Sequence, residues 1–368
     1  MKRLISLATA VIMCFSATVI SFAEEAKEVH NFDIENAISY ALENSTKMIK
    51  AEADAEAAKN ALSEARVAYR DYKASEFSTF PLEEAYLSSG LLFDSATASY
   101  EQAKRNVISE SNAVKISVKK SFYTCVNNER KIKTASENLE NTKQKTVYAN
   151  EQYNQGIISK LTLKSFELAE MNALNQYNTA VRNYNLSVIE FKNLLNIPLS
   201  EEVVFKGTFE EKELAFESPE AAVEMIKNSN AYLTIKEGRA LADKKMKIAK
   251  GWYSSNEPGY FKELGTYNST LSGLIDAENQ LNFGVISLYS SIVGIGDNVE
   301  YLKEYVQMMK ENTEASYLQY ELGMITSNNY IEIQQKYFEA QNNLLDAQLG
   351  YYIAVLEYVN MYSGNADM

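Results

Sequence analysis

The sequence predicts an all-α protein built from two copies of one long antiparallel helix pair, and three observations carry that prediction. The chain of 368 residues holds only four Pro and fourteen Gly, against an average Pro content of about 5%, so it has few places to turn. Residues 91–155 contain neither Gly nor Pro. As one helix such a run spans roughly 100 Å at 1.5 Å per residue, which makes a rod and not the core of a globule. Finally, the pattern Tyr153-x-x-Gly156-x-Ile158-Ser159 returns as Tyr320-x-x-Gly323-x-Ile325-Thr326, 167 residues later, the mark of an internal duplication.

Taken in order, residues 1–23 read as a secretory signal. Lys2 and Arg3 precede a largely apolar run from Leu4 to Ile20, and Ser21-Phe22-Ala23 supplies small residues for cleavage after Ala23. The run is short for a span, the alternative being an uncleaved anchor. Residues 24–30 form a charged lead-in. Phe32-Asp33-Ile34-Glu35-Asn36-Ala37-Ile38 then opens a helix, with Asp33 as N-cap and acids in the first turn. This helix is expected to continue to about Arg70 and to break around residues 75–81.

Along the following long helix, positions 125, 132, 139, 146 and 153 hold Cys, Ile, Leu, Thr and Tyr, while 128, 135, 142 and 149 hold Asn, Ala, Thr and Ala. One seam position is bulky or intermediate and the other small, which suits helices laid side by side in a wall better than a self-sufficient coiled coil. Gly156 reverses the chain, and the next helix runs to about Asn196 before Pro198. Residues 24–200 thus form the first helical-hairpin repeat. The connector at residues 201–217 has strand character centred on Val203-Val204-Phe205, and Ser218-Pro219-Glu220 reads as N-cap, Pro at N1 and a first-turn acid.

Residues 218–368 form the second repeat. Ala37 to Ser45 matches Ala221 to Ser229, Ala173 matches Ala340, and Asn175 matches Asn342. Here Gly284, Gly294 and Gly296 are expected to interrupt the long helix, with residues 297–300 recapping it.

Composition excludes several functions. The net charge of −13 becomes −15 on loss of the two leader cations, which argues against nucleic acid or anionic lipid as the main partner. Cys125 would be the only mature cysteine and reads as a small core residue, Cys14 lying in the leader. The sole His, His30, falls in the lead-in. With no ligand cluster at metal spacing, no nucleophile elbow and no phosphate-binding Gly loop, an enzyme is not expected, nor any cofactor, metal or catalytic residue. The 25 Tyr residues read as wall packing with wet hydroxyls.

Four places together resemble the TolC family of outer-membrane efflux proteins: the opening Phe32–Ile38 stretch with Ala41-Leu42-Glu43-Asn44, the twice-used Tyr-x-x-Gly turn, the Asn196-Ile197-Pro198-Leu199 connector, and the terminal Tyr351-Tyr352-Ile353-Ala354-Val355-Leu356. The resemblance implies a homotrimer whose protomers build a hollow α-barrel. That barrel would conduct small-molecule or protein cargo from an inner-membrane pump and its periplasmic adaptor. Gly156, Ile157, Ile158, Gly323, Met324 and Ile325 would then be adaptor-docking tips, the bland reading being two plain reverse turns. Asn329 and Glu332 occupy the positions of the acidic entrance gate, where one carboxylate remains. Three Glu332 side chains brought together would have raised pKa values.

One departure concerns the membrane. A barrel needs strands of about ten residues with sustained alternation, and the two candidate stretches, residues 74–93 and 252–274, lack it. Little or no β-barrel is expected. Two functions follow. One is a passive efflux conduit of the outer membrane or periplasm, or of the extracellular face in a cell with one membrane. The other is an exported coiled-coil scaffold or adaptor with no pore.

Overall fold

The computed structural model describes residues 29–74, 81–207 and 218–363. The leader with its cleavage point, the break at residues 75–80 and the end of the connector at 208–217 lie outside them. The described chain runs β1 (Val29–Phe32), α1 (Ile34–Asn44), α2 (Thr46–Ala74), α3 (Pro81–Ser88), α4 (Leu91–Asn154), α5 (Lys160–Leu195), β2 (Glu202–Phe205), α6 (Pro219–Ile226), α7 (Asn230–Trp252), α8 (Pro258–Glu321) and α9 (Ser327–Ser363). It is a nearly all-helical rod whose only described sheet is a two-stranded parallel pair, as the sequence predicts.

The long helices α4 and α8 each have 64 residues, about 95 Å of rod. They begin 167 residues apart, end 167 residues apart, and are followed by α5 and α9 at the same spacing. Burial repeats with the same period: Val118 with Val285, Cys125 with Ile292, Leu163 with Tyr330, Ala173 with Ala340 and Phe191 with Tyr358 are all buried. The four long helices form a wall in which α5 packs on α4, α4 on α9 and α9 on α8. Ala135, Thr142 and Ala149, the small seam positions, are buried as the wall requires, since short side chains let neighbouring helices approach. The shorter α1 and α2 lie on α4, and α6 and α7 on α8.

Three expectations need correction. Val29–Phe32 is not a lead-in but strand β1, paired in register with Glu202–Phe205. His30 is therefore no tail residue: its Nε2 lies 2.6 Å from a Glu201 carboxylate oxygen, and its ring stacks on Phe32. Secondly, the first helix divides at Ser45, whose backbone is extended (ψ 115°) and whose Oγ accepts from the Met48 N–H. Thirdly, α8 passes through Gly284, Gly294 and Gly296 without a break. Each Gly costs about 1 kcal/mol against Ala, but α8 recovers this by packing along α9. At Gly296 the Tyr351 ring occupies the space beside the helix, 3.3 Å from where a Cβ would stand.

Over α1 and α6 the repeat slips by one residue from the alignment read in sequence, which holds again at the caps Ser45 and Ser229. The N-caps Asp33 and Ser218 and the buried pairs Ala37/Ala222 and Ala41/Ile226 are 185 apart. Between the short and long helices the first copy carries 16 residues including α3, where the second carries five.

The middle of the rod is held by an aromatic cluster in which Phe32, Phe122, Phe191 and Phe205 meet edge to face at centroid distances of 5.0–6.2 Å. Cys125 is fully buried beside them, and that burial pushes its thiol up to about 12, consistent with a packing role. Among the described residues no helix is long and apolar enough to cross a membrane. Residues 81–88, 91–93 and 258–274 are helical, so neither candidate stretch forms a strand hairpin there.

Candidate docking tip

Both hairpin turns follow one recipe. Gln155 caps α4, Gly156 adopts φ +74°, and its N–H donates to the Tyr153 carbonyl at 2.9 Å. Leu322 caps α8, Gly323 adopts φ +68°, and its N–H donates to the Tyr320 carbonyl at 2.9 Å. The left-handed conformation costs an L-residue about 1–2 kcal/mol, and nothing lies within 4 Å of either absent Cβ. The glycines are thus required by backbone and not by crowding. The hydroxyls of Ser159 and Thr326 then cap α5 and α9, accepting from the N–H groups of Thr162 and Asn329.

The two turns stand together at one end of the rod. Ser165 and Ser327 hydroxyls lie 3.1 Å apart, and an apolar cluster of Ala149, Leu163, Phe166 and Tyr330 joins both hairpins beneath the turns. Ile158 and Ile325 pack against this cluster, whereas Ile157 and Met324 protrude, 64% and 69% exposed. Each tip therefore offers one outward apolar residue and anchors the next. Leu161 beside the first turn and Leu322 beside the second extend the exposed apolar surface.

Sequence reasoning missed the aromatic floor. Phe166 meets Tyr320 edge-on at 5.5 Å, Tyr320 stacks on Tyr330, and Tyr317 tilts against Tyr330 at 5.4 Å. Lys145 of α4 reaches across with its Nζ 2.9 Å from the Tyr317 ring centroid, a cation–π contact strengthened by desolvation. Burial lowers the Lys145 pKa, partly offset by Glu321. Burial also raises Tyr317, with Glu321 adding to it, and pushes Tyr330 up to about 12. The recurrence of Tyr at 317, 320 and 330 around the second turn was the available signal; only its partner Phe166, 154 positions before Tyr320, was hidden by distance in sequence.

The gate residues sit on the first turns of α9. Asn329 is exposed and its Oδ1 accepts from the Thr326 hydroxyl at 3.0 Å. Glu332 is exposed and pairs with Lys336 one turn on at 2.7 Å. Within the protomer its pKa is lowered through the Lys336 hydrogen bond. Behind them a groove of about 580 Å³ runs between the hairpins. Leu168, Met171, Ala173 and Ile331 give it apolar lining, and a network of neutral amides ties the hairpins beside it: Gln334 donates to Asn138 and Thr142, Gln176 donates to Gln335, and Asn138 donates to Gln176, at 2.9–3.3 Å.

No family model matches the sequence, and no curated protein does. Solved structures match over nearly the whole chain. A membrane protein from Pseudomonas aeruginosa superposes with TM-score 0.69 at 13% identity, covering 93% of this chain and 92% of its own. The outer membrane protein VceC from Vibrio cholerae gives 0.67 at 11%, covering 90% and 96%. The Campylobacter jejuni CmeC outer membrane channel gives 0.65 at 12%, covering 90% and 86%. At such identity the likeness establishes the fold: the chain has the TolC-like architecture of these proteins, as its motifs suggested.

Proposed function

We propose that this chain is the protomer of a homotrimeric, hollow helical conduit of the cell envelope, at the outer membrane or in the periplasm, which docks an adaptor through its paired Gly tips. The observation that carries the proposal is the uncovered apolar surface on the two outer helices of the wall. Leu161 and Leu168 are exposed seven residues apart on α5, as are Tyr301 and Met308 on α8, with Leu322 just past its end in the same heptad phase. A heptad stripe facing water wants another helix. Placing α5 of one copy against α8 of the next closes a ring, a head-to-tail contact that repeats until the rotation is complete.

The like fold of the Campylobacter jejuni CmeC outer membrane channel supports this reading. In the ring, Ile157 and Met324 form an apolar crown for the adaptor, with Ile158 and Ile325 fixing the turns behind them. Asn329 and Glu332 line the entrance, each Glu332 carrying its own Lys336. Transport is passive: a partner pump supplies the energy, and cargo moves when the α8–α9 hairpin slides against the α4–α5 hairpin. The neutral amide network between the hairpins suits such sliding, because amides can exchange partners without stranding a charge. No cofactor, metal or catalytic residue takes part.

A second reading is an exported scaffold without a pore, favoured by the helix at 258–274, where a membrane barrel would need a strand hairpin. Electron microscopy of the mature chain tests the proposal. Hollow three-fold rods are expected; a monomer at every concentration, with and without detergent, overturns it. Three-fold rods that pass no ions across a planar bilayer select the scaffold.

A further inference from the structure

The end of the rod opposite the tips carries a different chemistry. α7 ends and α8 begins there, about 95 Å from the Gly turns by the length of α8. In a chain of net charge −13, residues 244–262 hold five lysines and a single acid, Glu257. Trp252, the only Trp, closes α7 and is 46% exposed, and Phe261 on the first turn of α8 is 58% exposed. Tyr260 packs edge-on against Phe261 at 5.8 Å.

The corner is closely packed. The Tyr253 ring lies over Gly259, where any Cβ would collide with it, and the Ser254 N–H donates to the Glu257 carboxylate at 3.1 Å. That bond turns the Glu257 carboxylate onto the corner's own backbone. Among the described acids of neighbouring elements, Asp94 pairs with Lys244 and Glu263 with Lys245, while Asp243 and Glu84 keep their charge and accept from the Tyr267 and Tyr72 hydroxyls. Lys247, Lys250 and Lys262 are exposed and form no ion pair with a described residue.

We propose that this α7–α8 corner docks end-on onto an anionic phospholipid bilayer surface, Trp252 and Phe261 entering the interface and Lys247, Lys250 and Lys262 contacting headgroups around them. Trp and aromatic side chains settle where one side is apolar and the other wet, and lysines snorkel to phosphate. Lys247 lies five residues before Trp252, about 7 Å along the helix, which matches an interfacial penetration of about 5–10 Å. The overall negative charge does not oppose this. Salt screens charges beyond about 10 Å, so the bilayer meets the local lysines and not the acids along the rod. The inference stands apart from docking at the tips, and either can fail without the other.

Trp252 makes the test direct, because all tryptophan emission of the chain comes from it. The mature protein is titrated with vesicles of phosphatidylglycerol and phosphatidylcholine, and with phosphatidylcholine alone. The emission should shift to the blue on the anionic vesicles only, and lipids brominated near the headgroup should quench it. The triple variant Lys247→Gln/Lys250→Gln/Lys262→Gln, all exposed positions, should weaken binding on the order of 100-fold while keeping its helical spectrum, from about one lysine's worth of headgroup attraction each. Emission unchanged on anionic vesicles, equal binding to neutral ones, or a triple variant that binds as well as the parent would overturn the proposal.

Discussion

At the scale of single residues, the two turn glycines and one buried phenol have the most distinct signatures. Because Gly156 has open space around it and φ +74°, side-chain size should matter less than backbone preference. Gly156→Asn should cost a few tenths of a kcal/mol, since Asn tolerates this conformation and already adopts it at Asn196 (φ 56°). Gly156→Val should cost about 2 kcal/mol, and denaturant midpoints of the pair would show the difference. Tyr330 supplies a pH dependence. Its folded pKa, raised by burial to about 12, exceeds the unfolded value near 10, so its contribution is complete below pH ~10 and lost as pH rises towards 12. Amide exchange at the tip should therefore accelerate over that window, and Tyr330→Phe should move the onset upward. His30 and Glu201, 171 residues apart, show what a sequence withholds: nothing local announces their contact.

At the scale of elements, helix α4 was legible because the absence of Gly and Pro leaves a chain no reason to turn. Its partner α8 was misread because three glycines signal a break, while the stabilisation that overrides them comes from α9, far away in sequence. The division at Ser45 was legible in principle. Ser45 aligns with Ser229, and the hydroxyls of both cap the helix that follows, so the duplication itself carried the signal. α4 and α7 are joined by the Arg105 guanidinium, bidentate on Glu237 at 2.6 and 2.8 Å, with its Nε donating to Asn230. Arg105 is nearly buried, and removing one partner of a buried pair leaves an uncompensated charge. Arg105→Ala should cost about 3 kcal/mol in denaturant unfolding, and Arg105→Met/Glu237→Met should recover most of it.

For the whole molecule, the question is what covers the outer helices. Leu168 is exposed on α5, so Leu168→Glu should leave the circular dichroism and thermal midpoint of the protomer nearly unchanged. In sedimentation velocity the same variant should lose the three-fold species, because the buried carboxylate would cost several kcal/mol at each seam. The architecture was readable from the repeat and the helix lengths. The docking tip was readable only in part: its glycines carry a backbone signal, but the aromatic floor joins helices that only folding brings together. The lysine and aromatic corner was concealed by the average charge, which says nothing of where charges gather.

The matched 64-residue lengths of α4 and α8 also constrain how such a chain can change size. Seven residues inserted into one long helix and its return would raise that hairpin by about 10 Å. The Ser165–Ser327 contact would part, and one turn would overshoot the other. Lengthening the rod therefore demands the same insertion in all four long helices at once, so growth or shrinkage of this protein proceeds by paired steps through both halves, and a change confined to one half is a defect.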